Sequence, residues 1–141
     1  MADTVTLESA KRLATVAEQE ATRLGVRIVV SITNPEGNLV LLHRMDGAAL
    51  ASVSVSVDKA YSAAALQGPT DEFSELGEPG GSAYGLHTSD GGRLTLFGGG
   101  FPLLQDGQMV GAVGISGAST EEDMDIARAV LEEFEASGDV V

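Results

Sequence analysis

The sequence contains no cysteine and no tryptophan, and the missing cysteine excludes several kinds of chemistry. Disulfide scaffolds, thiol nucleophiles, zinc fingers and iron–sulfur clusters all require cysteine and are ruled out. No apolar run reaches the ~18 residues that a membrane span needs. The N-terminal residues also lack a basic start followed by an apolar stretch, so no secretory signal is visible. We therefore expect a cytoplasmic protein that does not enter a membrane.

Basic residues are scarce, with 8 lysines and arginines against 21 acidic residues and a formal net charge of -13. A nucleic-acid-binding protein needs a basic face that displaces counterions from phosphates, and so few cations do not supply one. Binding to anionic lipid is disfavoured for the same reason. The charge balance therefore predicts neither a nucleic acid nor a membrane as partner.

Aromatic residues make up only 4% of the chain, whereas there are 18 glycines. A core of alanine, valine, leucine and isoleucine reaches native density only if backbones approach closely, or if apolar surface is buried against other subunits. We therefore expect glycine-mediated packing and a homo-oligomer. The length of 141 residues predicts one domain, which we place at residues 4–136.

The first half of the chain predicts a helix followed by a pair of strands. Apolar residues at helical spacing predict a helix from Leu7 to Leu24, capped by Thr6 and ended by Gly25. Alternating apolar residues predict strands over Val26–Thr33 and Leu39–Met45. The short turn between these strands makes the pair antiparallel.

The segment Ala48–Gln67 is ambiguous. Its centre, Ser52–Val57, alternates like a strand, and β-branched valines favour that reading. Its flanks are rich in alanine, the best helix former, so we interpret the whole segment as one helix. Thr70 is expected to cap a short helical turn that runs to Leu76.

Glycines punctuate the next part of the chain. Residues Gly77–Gly92 predict a surface loop of a length that often lines a site. Arg93–Phe97 is predicted as a strand, which Gly98–Pro102 interrupts and Leu103–Gln105 resumes.

The C-terminal part predicts a hairpin and a closing helix. Asp106–Gly107 is a strong two-residue hairpin signal and leads into a final strand over Gln108–Ser116. Ser119 and Glu122 form a capping box at the start of the last helix, and the chain after Ala136 is expected to fray. Together, the elements predict an α+β fold with an antiparallel five-stranded sheet flanked by helices.

Three polar residues are candidates for chemistry, and a fourth, His43, has a structural interpretation. Lys59 is one of two lysines and lies in an apolar helix, so it is either ion-paired or, if it lines a pocket, a carboxylate-binding group, base or amine nucleophile. His87 lies in the glycine-rich loop and is a candidate ligand or proton-transfer group. Asp46 is equally well explained as a helix cap or a ligand-facing residue. We interpret His43 as a core or interface histidine because it shares a strand face with Leu41 and Met45.

Several of these segments occur together, in order, in a known family. They are Arg44-Met45-Asp46-Gly47-Ala48, Asp58-Lys59-Ala60-Tyr61-Ser62-Ala63, Pro69-Thr70, Gly99-Gly100-Phe101-Pro102, and Gly111-Ala112-Val113-Gly114-Ile115-Ser116-Gly117 followed by Glu122-Asp123. The set resembles the GlcG/HbpS-like family of haem-degrading-domain proteins. The resemblance implies a profilin-like or PAS-like α+β domain that assembles into dimers or larger oligomers.

The same resemblance leads us to expect a small-molecule pocket that binds haem or a related ligand, with no other cofactor and no metal site. The residues that we expect to line it are Met45, Asp46, Lys59, Ser62, His87, Gly99, Gly100, Phe101 and Pro102. The alternative is a cofactor-independent enzyme, an isomerase, lyase or hydrolase, acting on a small organic acid, a quinone-like or a heterocyclic substrate. In that enzyme Lys59 or His87 would be the base and Asp46 the acid or orienting group.

Overall fold

A computed structural model describes residues 3–137, in which four helices surround a four-stranded sheet. In chain order the elements are α1 (Leu7–Leu24), β1 (Val29–Thr33), β2 (Leu39–Arg44), α2 (Ala51–Leu66), α3 (Ser74–Gly77), β3 (Gly100–Gln105), β4 (Gln108–Ser116) and α4 (Thr120–Ser137). All strand pairs are antiparallel, and the order β2-β1-β4-β3 makes β2 and β3 the edge strands. Apart from Ser137, the tail expected to fray lies outside the described residues, as do the first two residues. No helix within residues 3–137 is both long and apolar enough to cross a bilayer.

Hydrogen bonds confirm the predicted ends of α1 and the predicted start of α4. The cap predicted at Thr70 is wrong, because Pro69 occupies the N-cap position of that turn and the Thr70 hydroxyl bonds the Phe97 carbonyl instead. The Thr6 hydroxyl accepts the Ser9 N–H at 3.1 Å, and Gly25 ends α1 with a φ of 74°. At the start of α4 the Ser119 hydroxyl accepts the Glu122 N–H at 3.1 Å, and the Glu122 carboxylate accepts the Ser119 N–H at 3.2 Å. This reciprocal capping box satisfies two backbone donors that the helix cannot pair internally. The ambiguous central segment is a helix, as interpreted.

Two apolar layers enclose the sheet. Helices α1 and α4 cover one face, where the larger side chains form the main core: Leu13, Ile28, Val30, Ile32, Leu41, Phe101, Leu103, Val113, Ile115, Ile126, Val130 and Phe134. Helix α2 covers the other face, where the apolar contact is made almost entirely by alanines: Ala60, Ala63, Ala64 and Ala112. Small side chains let the α2 backbone lie close to the strands.

Glycines of the sheet make this close approach of α2 feasible. A Cβ atom at Gly114 would lie 2.0 Å from the Ser56 carbonyl oxygen, and one at Gly100 would lie 2.4 Å from the Lys59 carbonyl oxygen. Both positions therefore accept only glycine unless the helix moves. Between them, the hydroxyls of Ser31 and Ser56 are 2.8 Å apart and satisfy each other within the buried layer. The expected glycine-mediated packing is thus the way in which α2 meets the sheet.

The prediction of a fifth strand over Arg93–Phe97 is wrong. Side-chain hydroxyls take the backbone groups that a strand would need: Ser62 accepts the Thr95 N–H at 2.8 Å, and Thr70 donates to the Phe97 carbonyl at 2.7 Å. The segment therefore follows α2 as irregular chain instead of pairing with β3. Alternating apolar side chains do not reveal hydroxyl groups that lie some thirty residues earlier in the chain.

The expected break at Gly98–Pro102 is also only partly correct, because β3 begins at Gly100 and runs through Pro102. Proline has no N–H to donate and is tolerated in strands mainly at a sheet edge, which is where β3 lies. Pro102 pairs with Ala112 in the register of β3 and β4. The hairpin predicted at Asp106–Gly107 joins these two strands and is confirmed.

We expect Gly114→Ala to lower the free energy of unfolding by about 1–3 kcal/mol, the usual cost of overpacking a core. The added methyl group would overlap the Ser56 carbonyl and push α2 from the sheet. Urea unfolding followed by circular dichroism measures the loss. Ser54→Ala, at an exposed position of the same helix, is the control and should change stability by no more than about 0.5 kcal/mol. Equal losses in both variants would contradict the packing role of Gly114.

Candidate functional site

The residues predicted to form one pocket are distributed over three environments. Met45 and Asp46 line a groove at the β2 edge of the sheet. His87 lines a second pocket on the glycine-rich loop. Lys59 is buried between α2 and the start of α4. The two pockets share no lining residue among residues 3–137, so a single chain does not bring Asp46 together with His87.

The first site, which we call the edge groove, lies between the C-terminal half of α1 and strand β2. Its volume is about 890 Å³, and it is lined by Glu18, Thr22, Gly25, Val26, Arg27, Leu42, His43, Arg44, Met45 and Asp46. Small-molecule sites usually occupy about 300–1,000 Å³. The groove therefore has room for a large ligand that remains partly exposed to solvent.

His43 presents an imidazole ring to the edge groove. Its Nδ1 atom lies 2.7 Å from a carboxylate oxygen of Glu18 on α1, and both side chains are partly exposed. A carboxylate on one ring nitrogen fixes the tautomer and orientation of an imidazole and directs its other nitrogen outward. A core role for His43 is therefore wrong, because its ring is exposed and faces the groove, whereas an interface role stays a prediction.

Two arginines of the edge groove carry charges that no carboxylate neutralises within residues 3–137. Arg27 donates to the backbone carbonyl of Asp46 at 3.3 Å. Arg44 donates twice to the backbone carbonyl of Ala48, at 2.9 and 3.2 Å. In contrast, Arg23 and Arg93 pair with carboxylates. In a strongly acidic chain, two guanidinium groups bound only to carbonyls are well suited to hold the anionic groups of a ligand.

The other predicted residues of the groove have limited chemical roles. Asp46 does not cap α2, since the residue at the N-cap position is Leu50 and no side chain accepts a hydrogen bond there. Its side chain is exposed at the rim of the groove. Met45 is half-buried, and its sulfur lies 3.5 Å from the Ile28 nitrogen, packed against the main core. Asp46 is thus free to contact a ligand, whereas Met45 forms part of the wall.

Lys59 is the largest fully buried side chain of the described residues and forms a buried ion pair. Its Nζ atom donates to the Ile115 carbonyl at 2.8 Å and to Asp123 Oδ2 at 3.1 Å. The other carboxylate oxygen, Asp123 Oδ1, accepts the Ala118 N–H at 3.0 Å. The pair therefore links α2, the end of β4 and the first turn of α4.

Burial works against the charged form of both partners. Desolvation lowers the pKa of Lys59 and raises the pKa of Asp123, and the opposite charge of each partner only partly compensates for this. Both directions favour transfer of a proton from the Lys59 ammonium to the Asp123 carboxylate, relative to the same two groups in water. Sequence reasoning singled out Lys59 for chemistry, whereas Asp123 appeared only as part of a family motif and was not recognised as its partner.

The second site, which we call the loop pocket, has a volume of about 460 Å³. It is lined by Ser74, Gly77, Glu78, His87, Gly92, Leu94, Thr95, Leu96 and Phe97. Most of its wall is apolar, and His87 is exposed at its rim, with its ring centroid 6.1 Å from that of Tyr84. The nearby Arg93 is bound to Asp58 and stacks over the Tyr61 ring at 3.7 Å. The loop pocket therefore offers no cation for an anionic ligand.

The remaining predicted residues support the fold around these sites. Ser62 is buried and holds the segment after the loop through its hydroxyl, which also donates to the Asp58 carbonyl at 2.6 Å. Gly99 and Gly100 lie against Lys59, where a Cβ at Gly99 would come within 2.8 Å of Nζ. Phe101 belongs to the main core, and Pro102 is half-buried on β3. Within residues 3–137 there is no group of three or more histidine, aspartate or glutamate side chains close enough together to hold a metal ion.

A family model described as "Haem degrading protein HbpS-like" matches residues 5–132. Among curated proteins, the chain is 39% identical over 131 residues to an uncharacterized 15.0 kDa protein of the dhaT-dhaS intergenic region of Citrobacter freundii, covering 93% of this chain and 92% of that one. It is also 39% identical over 120 residues, 85% of its length, to the corrinoid adenosyltransferase PduO of Salmonella typhimurium. The chain spans only 36% of the length of PduO.

Solved structures show the same fold. The crystal structure of Klebsiella pneumoniae ORFY has a TM-score of 0.94 and 38% identity, covering 96% of this chain and 94% of that one. The crystal structure of a PduOC:heme complex has a TM-score of 0.88 and 36% identity, covering 92% and 94%. The likeness to GlcG/HbpS proteins expected from the motifs is therefore confirmed.

We expect Lys59→Met to destabilise the protein by about 3–5 kcal/mol, because it leaves the Asp123 carboxylate buried without its partner. Burial raises the pKa of Asp123, so the protonated acid suits the folded state better than the unfolded one. The stability of Lys59→Met should therefore fall as the pH rises through that elevated pKa. Urea unfolding at pH 5 and pH 8 measures both effects.

The double variant Lys59→Met/Asp123→Asn is the control for this prediction. Asparagine still accepts the Ala118 N–H but carries no charge, so the double variant should recover most of the lost stability and its pH dependence. Additive losses from the two substitutions would show that the ion pair does not couple α2 to α4.

Proposed function

Because the chain belongs to the haem-degrading HbpS-like family, we propose that it is a haem-binding protein whose edge groove holds the ligand. The observation that carries this proposal is the His43 imidazole, oriented by Glu18 in a groove that also presents two arginines without carboxylate partners. Support also comes from the similarity to PduOC, which was crystallised as a heme complex.

The donor set of the groove fits haem. The outward nitrogen of His43 would hold the haem iron, which accepts imidazole as a ligand, and the Glu18 carboxylate behind the ring fixes its orientation. Arg27 and Arg44 would bind the two propionates, while Val26 and Leu42 would contact the apolar macrocycle. The loop pocket offers His87 but no free cation, so it fits this ligand less well.

Titration with haemin tests the proposal and separates the two histidines. We expect a saturable Soret band in the natural protein, and a weaker, shifted band in His43→Ala, because the axial nitrogen is gone. His87→Ala, the matched control, should titrate like the natural protein. No saturable band would overturn haem binding, whereas loss of the band only in His87→Ala would move the site to the loop pocket. Glu18→Gln should lower the affinity by about 10–100-fold, as expected for the loss of a group that orients a histidine ligand.

The alternative, a cofactor-independent enzyme, would need an acid at Asp46 close to a base at Lys59 or His87. Asp46 lies in the edge groove, whereas Lys59 and His87 lie elsewhere, so one chain does not align an Asp46 acid with either predicted base. The buried ion pair of Lys59 is the observation that still favours chemistry in this chain. Its carboxylate partner is Asp123 instead of Asp46.

We also propose that the chain forms a homo-oligomer through the outer side of α2. Residues 47–57 include no charged side chain, in a chain with a net charge of -13. Leu50 is 74% exposed, and Val53 and Val57 lie one turn apart in half-exposed positions. Two equally acidic copies repel each other least across an uncharged apolar face, and α2 offers such a face.

Val53→Glu should disrupt this association by placing a carboxylate in the interface. Light scattering after size-exclusion chromatography measures the mass, which we expect to fall to that of one chain. The control Glu133→Gln changes a charge on α4, and should leave the mass unaltered. A natural protein of monomer mass, or a Val53→Glu variant that keeps the larger mass, would contradict the proposal.

A further inference from the structure

Haem binding in the edge groove leaves the most unusual side chain of the molecule without a role. The amine of Lys59 is buried between α2 and α4, on the side of the loop pocket. An amine in such a position is expensive to keep charged, and hydrophobic residues of similar size often stabilise a fold at least as well as a buried ion pair. Stability alone therefore does not account for a lysine at this position.

Phe97 is the residue that brings this amine close to the loop pocket. Lys59 Nζ lies 5.0 Å from the centre of the Phe97 ring, and Phe97 is one of the residues that line the pocket. The Phe97 residue is half exposed, whereas its carbonyl is held by the Thr70 hydroxyl. The backbone is thus fixed, whereas the exposed side chain is free to change its rotamer. Such rotations of exposed side chains take place within nanoseconds.

Glycine residues make room for the lysine to reach this place. A Cβ at Gly99 would lie 2.8 Å from Lys59 Nζ and 3.1 Å from its Cδ, and Gly99 adopts a φ of 125° that side chains rarely accept. The Lys59 side chain therefore passes the residue before β3 in space that any side chain other than glycine at position 99 would fill. This space directs the amine toward Phe97 and Asp123 together.

We propose that Lys59 captures small aldehydes or ketones that enter the loop pocket, with Asp123 as its proton partner. The ammonium first gives a proton to the Asp123 carboxylate. The nitrogen lone pair then adds to the carbonyl carbon while the carbonyl π electrons move to oxygen, and one proton of the nitrogen passes to that oxygen to give the carbinolamine. The hydroxyl group leaves as water with the proton held by Asp123, and a protonated imine remains on Lys59 beside the Asp123 carboxylate. No oxidant or reductant is consumed.

The geometry and charge of the pair suit this sequence. Asp123 Oδ2 is 3.1 Å from the nitrogen and is close enough to receive and return the proton. Burial lowers the pKa of Lys59 and raises that of Asp123, which favours the neutral amine needed for attack. The identity of the partner acid is therefore as important as the burial of the lysine.

The walls of the loop pocket define the class of carbonyl compound. Leu94, Leu96 and Phe97 provide an apolar surface, and Glu78 adds a negative charge at the rim. The chain as a whole is acidic, and the closest arginine, Arg93, is occupied by Asp58. Small uncharged carbonyl compounds are expected to enter, whereas keto acids should be excluded by repulsion.

Reductive trapping with propanal tests the proposal. The folded protein is incubated with propanal and cyanoborohydride, and the modified amines are located by peptide mass spectrometry. The chain has only two lysines, so Lys11, which is exposed, serves as an internal reference. We expect a propyl group on Lys59, and faster labelling of Lys59 in Phe97→Ala, which removes the ring next to the amine, with no change at Lys11. Pyruvate in place of propanal should label Lys59 much less.

Leu104→Ala, which shortens an equally exposed apolar side chain on β3, is the matched control and should leave labelling of Lys59 unaltered. Circular dichroism shows that each variant is folded during the reaction. Labelling confined to Lys11 and the terminal amine, in both the natural protein and Phe97→Ala, would overturn the proposal. So would labelling of Lys59 that rises equally in Phe97→Ala and Leu104→Ala, since that result indicates access by unfolding.

Discussion

The close contact of α2 with the sheet is the constraint on which the rest of the structure depends. Gly100 and Gly114 allow carbonyl groups of the helix to lie where a Cβ atom would otherwise be. Because the helix is this close, Lys59 reaches from α2 to Asp123 at the start of α4 across the end of the sheet. The close packing of α2, which glycine and alanine allow, therefore explains both the thin second layer of the core and the burial of the Lys59 amine. Larger side chains between α2 and the sheet would move the helix outward, and the Lys59 amine would then not reach Asp123.

The two pockets differ in charge for reasons that the fold explains. The edge groove lies at strand β2, whose outer edge is unpaired in one chain, and there Arg27 and Arg44 bind only backbone carbonyls. The loop pocket is formed by the glycine-rich loop and the segment before β3, where Arg93 is neutralised by Asp58. An anionic, planar ligand is thus favoured in the edge groove and an uncharged ligand in the loop pocket. Haem binding and carbonyl capture would consequently use separate surfaces, and a substitution at Lys59 should not alter a site built around His43.

Sequence reasoning succeeded where a local pattern determines local structure. The bounds of α1, the capping box of α4 and the hairpin before β4 all follow from neighbours a few residues apart. It failed where distant groups decide the outcome. Asp123 and Phe97 lie 64 and 38 positions from Lys59, and no periodicity indicates that they meet. Glu18 likewise contacts a histidine on β2 from the preceding helix. The predicted single pocket merged residues of separate family motifs with a histidine of the glycine-rich loop, yet neither a motif nor a loop position gives distances in space.

The missing fifth strand has a functional consequence. Had residues 93–97 paired with β3, their backbone groups would be in the sheet and alternate side chains would point to opposite faces. Instead, Ser62 and Thr70 bind those groups and turn Leu94, Leu96 and Phe97 toward the glycine-rich loop, where they form the wall of the loop pocket. Two hydroxyls thus convert a potential edge strand into the wall of a cavity. The same Thr70 hydroxyl accepts the Gly100 N–H, so one side chain fixes the backbone of Phe97 and the first residue of β3.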